Sequence, residues 1–191
     1  GPEPGGPEDG ARARHLTLSE SNSALLAQGL REGTIDVAFM RPDASPMADM
    51  QIVSFSLEPM ILALPVGHPA LGAREDSPVP LGALCHDDFI LTPRAIGPSL
   101  FDTAVDACKA AGFDPRLGQA APQIASVLSL VAAAEGVSMV PASMRQLALE
   151  GVVYADIADA VPVTMLSLVH MRANRSAMVR NFMAIAHRQV E

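Results

Sequence analysis

The sequence predicts an α/β protein built as two similar lobes, with helices packed on mainly parallel sheets. Strand-like and helix-like runs alternate along most of the chain, the signature of βα units. A helix–Gly–apolar strand unit also occurs twice, at residues 25–42 (LLAQGLREGTIDVAFMRP) and 128–141 (LSLVAAAEGVSMVP), roughly 100 residues apart. Finally, 49% of the 191 residues are apolar, enough for a substantial core. Two such lobes facing each other make a cleft, and a cleft is where a ligand site belongs.

The elements follow in order. Residues 1–14 are a Gly/Pro/acid leader running into Ala and Arg, expected to be a linker, a tag remnant or a disordered tail. Residues 15–20 (HLTLSE) alternate as a strand does. Ser21, Asn22 and Ser23 then offer N-caps for a helix that Gly33 stops, since glycine accepts the left-handed backbone beyond a last turn. Residues 35–40 and 137–140 are too short for helices and too apolar for half-exposed strands, so they read as buried parallel strands. Gly136 is the matching stop before the second of them. Between them come strand-like runs 51–57 and 60–64, separated by Glu58-Pro59, then a turn at 66–71 and a loop at 72–79. A short helix at 80–84 begins on proline, tolerated in a first turn. A strand at 89–92 and a loop at 93–97 lead to an amphipathic helix at 98–111. Its Leu100, Phe101, Ala104, Val105 and Cys108 face inward, and Gly112 closes it. The remainder reads as a weak strand 117–121, helix 123–135, helix 142–149, strand 152–157, a long strand 163–171 and a terminal helix 176–190.

Composition narrows the function. Aromatics are 4% and Trp is absent, so Ala, Val, Leu, Ile and ten Met build the core, Met filling irregular gaps. The most apolar run, 124–134, is about half the roughly 20 residues a membrane span needs. No basic-then-apolar signal opens the chain. Cys85 and Cys108 are too far apart for a CxxC motif and read as free thiols of a reducing cytoplasm. A net charge of −8 suits phosphate neutralisation poorly, so this chain alone is not expected to bind nucleic acid. Arg172, Arg175 and Arg180 read as a solvated face.

Four segments resemble the effector-binding domain of LysR-type transcriptional regulators: LREGTIDVAFMRP (30–42), MILALPVGHPAL (60–71), DFILTPRAIGPSLFDTAVDACKAAGFDP (88–115) and VLSLVAAAEGVSMVPAS (127–143). The last is the most specific, and together they span most of 15–171 in the family's order. The closest flavour is that of members sensing aromatic-degradation intermediates. The resemblance implies a fold like type 2 periplasmic binding proteins: two Rossmann-like lobes, two crossover strands and an inducer between them. Lobe I would be 15–56 plus 163–191 and lobe II 57–162. It implies a small-molecule effector, a homodimer or homotetramer, and DNA contact only through an N-terminal winged helix-turn-helix that this chain lacks. It implies no cofactor, no membrane partner and a cytoplasmic location. The sequence departs from the family in having no counterpart of lobe I's first strand and helix. In a doubly wound sheet that strand is interior, and its loop lines the cleft. Truncation, or completion by another segment or chain, would each account for this.

Several residues suit a cleft. Ser21 and Ser23 sit at a helix start, where free N–H groups attract an anion, though plain capping is the simpler role. The resemblance implies that Ser23 contacts the effector carboxylate. Arg41, ending a buried strand, can hold a carboxylate in bidentate fashion or form a salt bridge between lobes. The loop 92–100 follows a strand and precedes a helix, as cleft loops do. There Thr92 and Ser99 can donate hydrogen bonds, Arg94 adds charge, and Pro98 and Leu100 offer an apolar wall; Pro98 also simply starts a helix. Gln123 can reach ligand or serve as a turn residue. The neighbours His86, Asp87 and Asp88 make a poor metal site, because consecutive residues rarely converge on one ion. Asp102 and Asp106, at i and i+4, read as a solvated helix face. There is no GxSxG, HExxH or Walker loop, and His68 and His170 have no nucleophile nearby in sequence, so catalysis is not expected. The expected function is therefore a ligand sensor controlling transcription. A transporter's solute-binding protein with the same two-lobe fold is the alternative.

Overall fold

A computed structural model describes residues 16–42, 47–72 and 77–188. The leader, His15, parts of the expected loops after Arg41 and at 72–79, and the end of the terminal helix lie outside them. The order is α1 (Ser23–Glu32), β1 (Ala38–Met40), β2 (Met50–Pro65), a 3-10 helix (Leu81–Leu84), β3 (Asp88–Phe89), α2 (Pro98–Ala110), β4 (Arg116–Leu117), α3 (Ile124–Ala132), β5 (Ser138–Pro141), a second 3-10 helix (Ala142–Gln146), β6 (Val152–Ala155), β7 (Val163–Met171) and α4 (Ala177–His187).

β2 organises the molecule. Its first ten residues pair with β7, from Met50↔Met171 to Pro59↔Val163, with a bulge at Phe55. From Met60 it pairs instead with β5 (Met60↔Pro141) and β6 (Leu62↔Ala155). One strand thus runs from one half of the protein into the other. The expected break at Glu58-Pro59 does not occur; the proline sits where the strand changes partners. Pro59 has no N–H to give a ladder, and the next donor, Met60 N, bonds Pro162 O at 2.8 Å.

In the second half, β3 and β4 are parallel, and isolated parallel bridges join Phe89 to Val137 and Val79 to Ile157. β5 and β6 both oppose β2. These strands therefore share one direction, and β2 alone runs against them. The buried parallel strand expected at 137–140 is buried, but its main ladder is antiparallel. The one at 35–40 is corrected further. It shortens to Ala38–Met40, pairs antiparallel with β7, and leaves Phe39 at its centre 45% exposed. Its other flank has no strand among the described residues. The same fact explains the lost strand at 15–20. Residues 16–20 pair with no strand among the described residues, and Leu16 and Leu18 are exposed, because a strand forms only against a neighbour.

The core follows from this topology. Met60, Leu62 and Leu64 point to one face of β2, where Phe89 and α2's Ala104 and Cys108 meet them. Ile61 and Ala63 point to the other, against Val127, Leu128 and Val131 of α3. β2 is therefore apolar at consecutive positions because helices cover both faces. Burial pushes the Cys108 thiol up to about 11, as expected of an inert core cysteine. In the first half, α1 packs Ala27 and Leu30 on Ala38, Met40, Met50 and Val169.

Shorter corrections concern ends. The expected helix 142–149 is a 3-10 turn ending at Gln146, and strand 117–121 is reduced to Arg116–Leu117. Helix 123–135 spans only Ile124–Ala132, so Gly136 does not stop it. Ala134 takes the left-handed backbone instead (φ 59°).

Candidate functional site

The candidate residues fall in two groups. The first lies where α1 begins and β1 ends. Asn22 is the cap of α1, its Oδ1 accepting from Leu25 N at 3.0 Å, while Ser21 and Ser23 flank it half-buried. Arg41 is met by Glu58, a residue not among the sequence-predicted candidates: Nη2 donates to Glu58 Oε2 at 2.5 Å, with both side chains mostly buried. Glu58 Oε1 accepts from Ser143 N at 3.1 Å, at the start of the second 3-10 helix. One carboxylate therefore ties the end of β1 to the second half. Burial works to raise the Glu58 carboxyl, but hydrogen bonds from Ser143 and the Arg41 charge outweigh it. The group is held below its usual range. Arg41 thus forms a salt bridge with Glu58, one of the two roles expected of it. Its Nε nevertheless stays buried without a partner among the described residues. The signal for Glu58 was in the sequence: a carboxylate inside an apolar strand run demands a cation or donor.

The second group surrounds the loop after β3. Ile96 N and Gly97 N both bond Pro93 O at 3.0 Å, folding the loop back on itself. A Cβ on Gly97 would stand 3.0 Å from Thr92 Cγ2, so the glycine lets the loop close on Thr92. Pro98 then opens α2. Thr92 and Leu100 line an apolar depression with Phe101, Ile124, Ser138 and Pro141. Phe101 and Ile124 serve there as apolar walls, while the Ser138 hydroxyl is committed to Ile90 O at 2.7 Å. Ser99 gives its carbonyl to the Thr103 hydroxyl at 2.8 Å, and its side chain is half-buried. Gln123 caps α3 without a side-chain bond and is exposed, the turn role. Arg94 is committed to the outer side of α2, gripping Asp102 through Nε (2.6 Å) and Nη2 (2.9 Å). That grip holds the Asp102 carboxyl below its usual range. Ser21, Ser23 and Arg41 do not line this depression.

The other clusters diverge. His68 Nδ1 accepts from Ala70 N, so Nε2 carries the proton it shares with Asp87 at 3.1 Å. Asp88 pairs with Arg116. No group able to hold a metal is found among the described residues, nor any helix long and apolar enough to cross a membrane.

Comparison with known proteins places this arrangement. The fold matches that of CbnR, a LysR family transcriptional regulator, with a TM-score of 0.77, 23% identity, and coverage of 92% of this chain and 59% of that one. It also matches the BenM effector-binding domain with its effector benzoate: TM-score 0.67, 24% identity, coverage 88% and 78%. The architecture is that of the two-lobed, type 2 periplasmic-binding-like effector domains. Residues 13–191 match the LysR substrate binding domain model, and the chain belongs to that family. Among relatives, the HTH-type regulator BudR of Raoultella terrigena is 30% identical over 168 residues, 88% of this chain and 57% of that protein. CatR of Pseudomonas putida is 28% identical over 176 residues, 92% and 59%. The chain thus spans somewhat more than half the length of these relatives. They are transcriptional regulators, which does not favour the transporter alternative.

Proposed function

We propose that this chain is the effector-sensing part of a LysR-type transcriptional regulator and binds a small anionic aromatic or dicarboxylic acid between its halves. Family membership over 13–191 carries this reading. The class of ligand is suggested by Arg41, a mostly buried guanidinium beside the strand that joins the halves. In this reading the lobes are 15–56 plus 163–191 and 57–162, close to the partner change of β2 at Pro59 and Met60. Ser21 and Ser23 present a helix start from the first lobe, and Thr92, Pro98, Ser99 and Leu100 a donor-and-wall loop from the second. Arg94 and Gln123 sit at the rim. Effector binding favours one arrangement of the lobes over another, because a ligand that bound both equally would switch nothing. The readout is DNA occupancy by an N-terminal winged helix-turn-helix of the full-length homo-oligomer, in the cytoplasm. In this reading the domain senses rather than catalyses, as the regulators it resembles do.

Isothermal titration with benzoate, chosen because BenM is solved with it, and with a series of linear dicarboxylates is the test. At least one acid binds, and Arg41→Ala weakens it by about tenfold or more, as for a lost charged hydrogen bond. Equal affinity in Arg41→Ala removes Arg41 from the site. Failure of every acid to bind overturns the reading.

A further inference from the structure

Among the described residues, two buried polar atoms are without a hydrogen-bond partner, Arg41 Nε and the Thr164 hydroxyl oxygen, and topology sets them on one face of the sheet. β7 lies between β1 and β2. Continuing the β1–β7 register beyond Met40↔Ser167 sets Arg41 beside Leu166. On the other flank of β7, Glu58 stands directly opposite Thr164. Side chains two apart on a strand share a face, as do directly paired residues. Arg41, Leu166, Thr164 and Glu58 therefore share one face of the sheet. To reach Glu58 at 2.5 Å, the Arg41 guanidinium must cross over β7, and it does so on the face carrying Thr164. Thr164 is only 3% exposed.

Two buried donors on one face, one of them charged, are costly unless an acceptor meets them. Glu58 does not fill that role: its oxygens accept from Arg41 Nη2 and Ser143 N, and neither Arg41 Nε nor the Thr164 hydroxyl bonds it. A guanidinium has five N–H donors and can serve two carboxylates at once. We propose that Thr164 is an effector-binding residue: one oxygen of the effector's carboxylate accepts from both Arg41 Nε and the Thr164 hydroxyl. Arg41 then holds Glu58 and the effector together. The contact lies at the strand that joins the halves, so seating the carboxylate acts directly on the crossover. This rests on the effector reading above and adds to it the residue that anchors the charge.

The test is calorimetry of the whole chain with benzoate and the linear dicarboxylates, on wild type, Thr164→Val and Thr164→Ser. Valine keeps the shape and removes the hydroxyl; serine keeps the hydroxyl. The ligand-free thermal midpoint of Thr164→Val should equal or exceed that of wild type, because the hydroxyl it loses has no partner within the protein. Its affinity for the acid that wild type binds should fall by about tenfold, while Thr164→Ser stays within about threefold. A valine variant that binds as tightly as wild type overturns the assignment and leaves the effector reading standing. So does one that loses stability and affinity together without rescue by serine. Failure of wild type to bind any of these acids overturns both.

Discussion

The two helix–Gly–strand units look alike as sequence and do different physical work. Gly33 is a true helix stop: φ is 71°, its N–H bonds back to the last turn, and a Cβ there would meet nothing within 4 Å. Gly136 follows an exit already made by Ala133 and Ala134. A Cβ at Gly136 would stand 2.3 Å from Asp88 O, so this glycine lets β5 lie close beside β3. The halves around them differ in the same sense. In the second, β2 is covered on both faces, with Met60, Leu62, Ala63 and Leu64 fully buried. In the first, β1 is three residues long and Phe39, Ile52 and Leu57 remain exposed. One half is closed upon itself; the other keeps apolar surface open.

That contrast sets the size of mutational effects. Phe89→Ala, in the closed core, should cost about 3–5 kcal/mol in urea unfolding. Phe39→Ala should cost about 1 kcal/mol, because its edge-to-face contacts with Phe55 and Phe182 are half in water. Equal losses would abolish the contrast. Gly136→Ala should cost about 2–3 kcal/mol through the clash with Asp88 O, and Gly33→Ala about 1 kcal/mol through backbone strain alone. If Gly33→Ala proves the more harmful, Gly136 is the ordinary cap after all. Asn22→Ala should cost about 1 kcal/mol as a lost cap.

The smallest effect concerns the carboxylate that ties the halves. Glu58 titrates below its ordinary 4.5 in the folded protein. Its contribution to stability is therefore complete above the unfolded value and is lost as pH falls through the folded one. The stability difference between wild type and Glu58→Gln should be flat at neutral pH and shrink in acid. A difference that grows in acid would mean that Glu58 does not hold Arg41.

Much of this was legible in the sequence where the physics is local. The presence of a cap within Ser21–Ser23, the glycine stop of α1, the proline start of α2 and its inward residues through Cys108 all depend on neighbours within a turn or two. Strand direction was not legible, because the sequence of β5 does not record which strand lies beside it. Pro59 suggested a break, and the structure converts it into a change of partner. Of the candidate site, the strand–loop–helix pattern pointed to Thr92 and Leu100, which line the depression, but also to Arg94, Pro98 and Ser99, which do not. Glu58 and Thr164 did not, since their roles come from a register between strands about 100 residues apart.

In the proposed reading, one effector touches both halves at the crossover. Methyl-resolved NMR, titrating the acid that calorimetry finds to bind, tests it most directly. Signals of Leu100 in the second half and of Met40 and Thr164 in the first should move together along one binding curve. Movement confined to Leu100 and its neighbours, with Met40 and Thr164 unchanged at saturation, would contradict it.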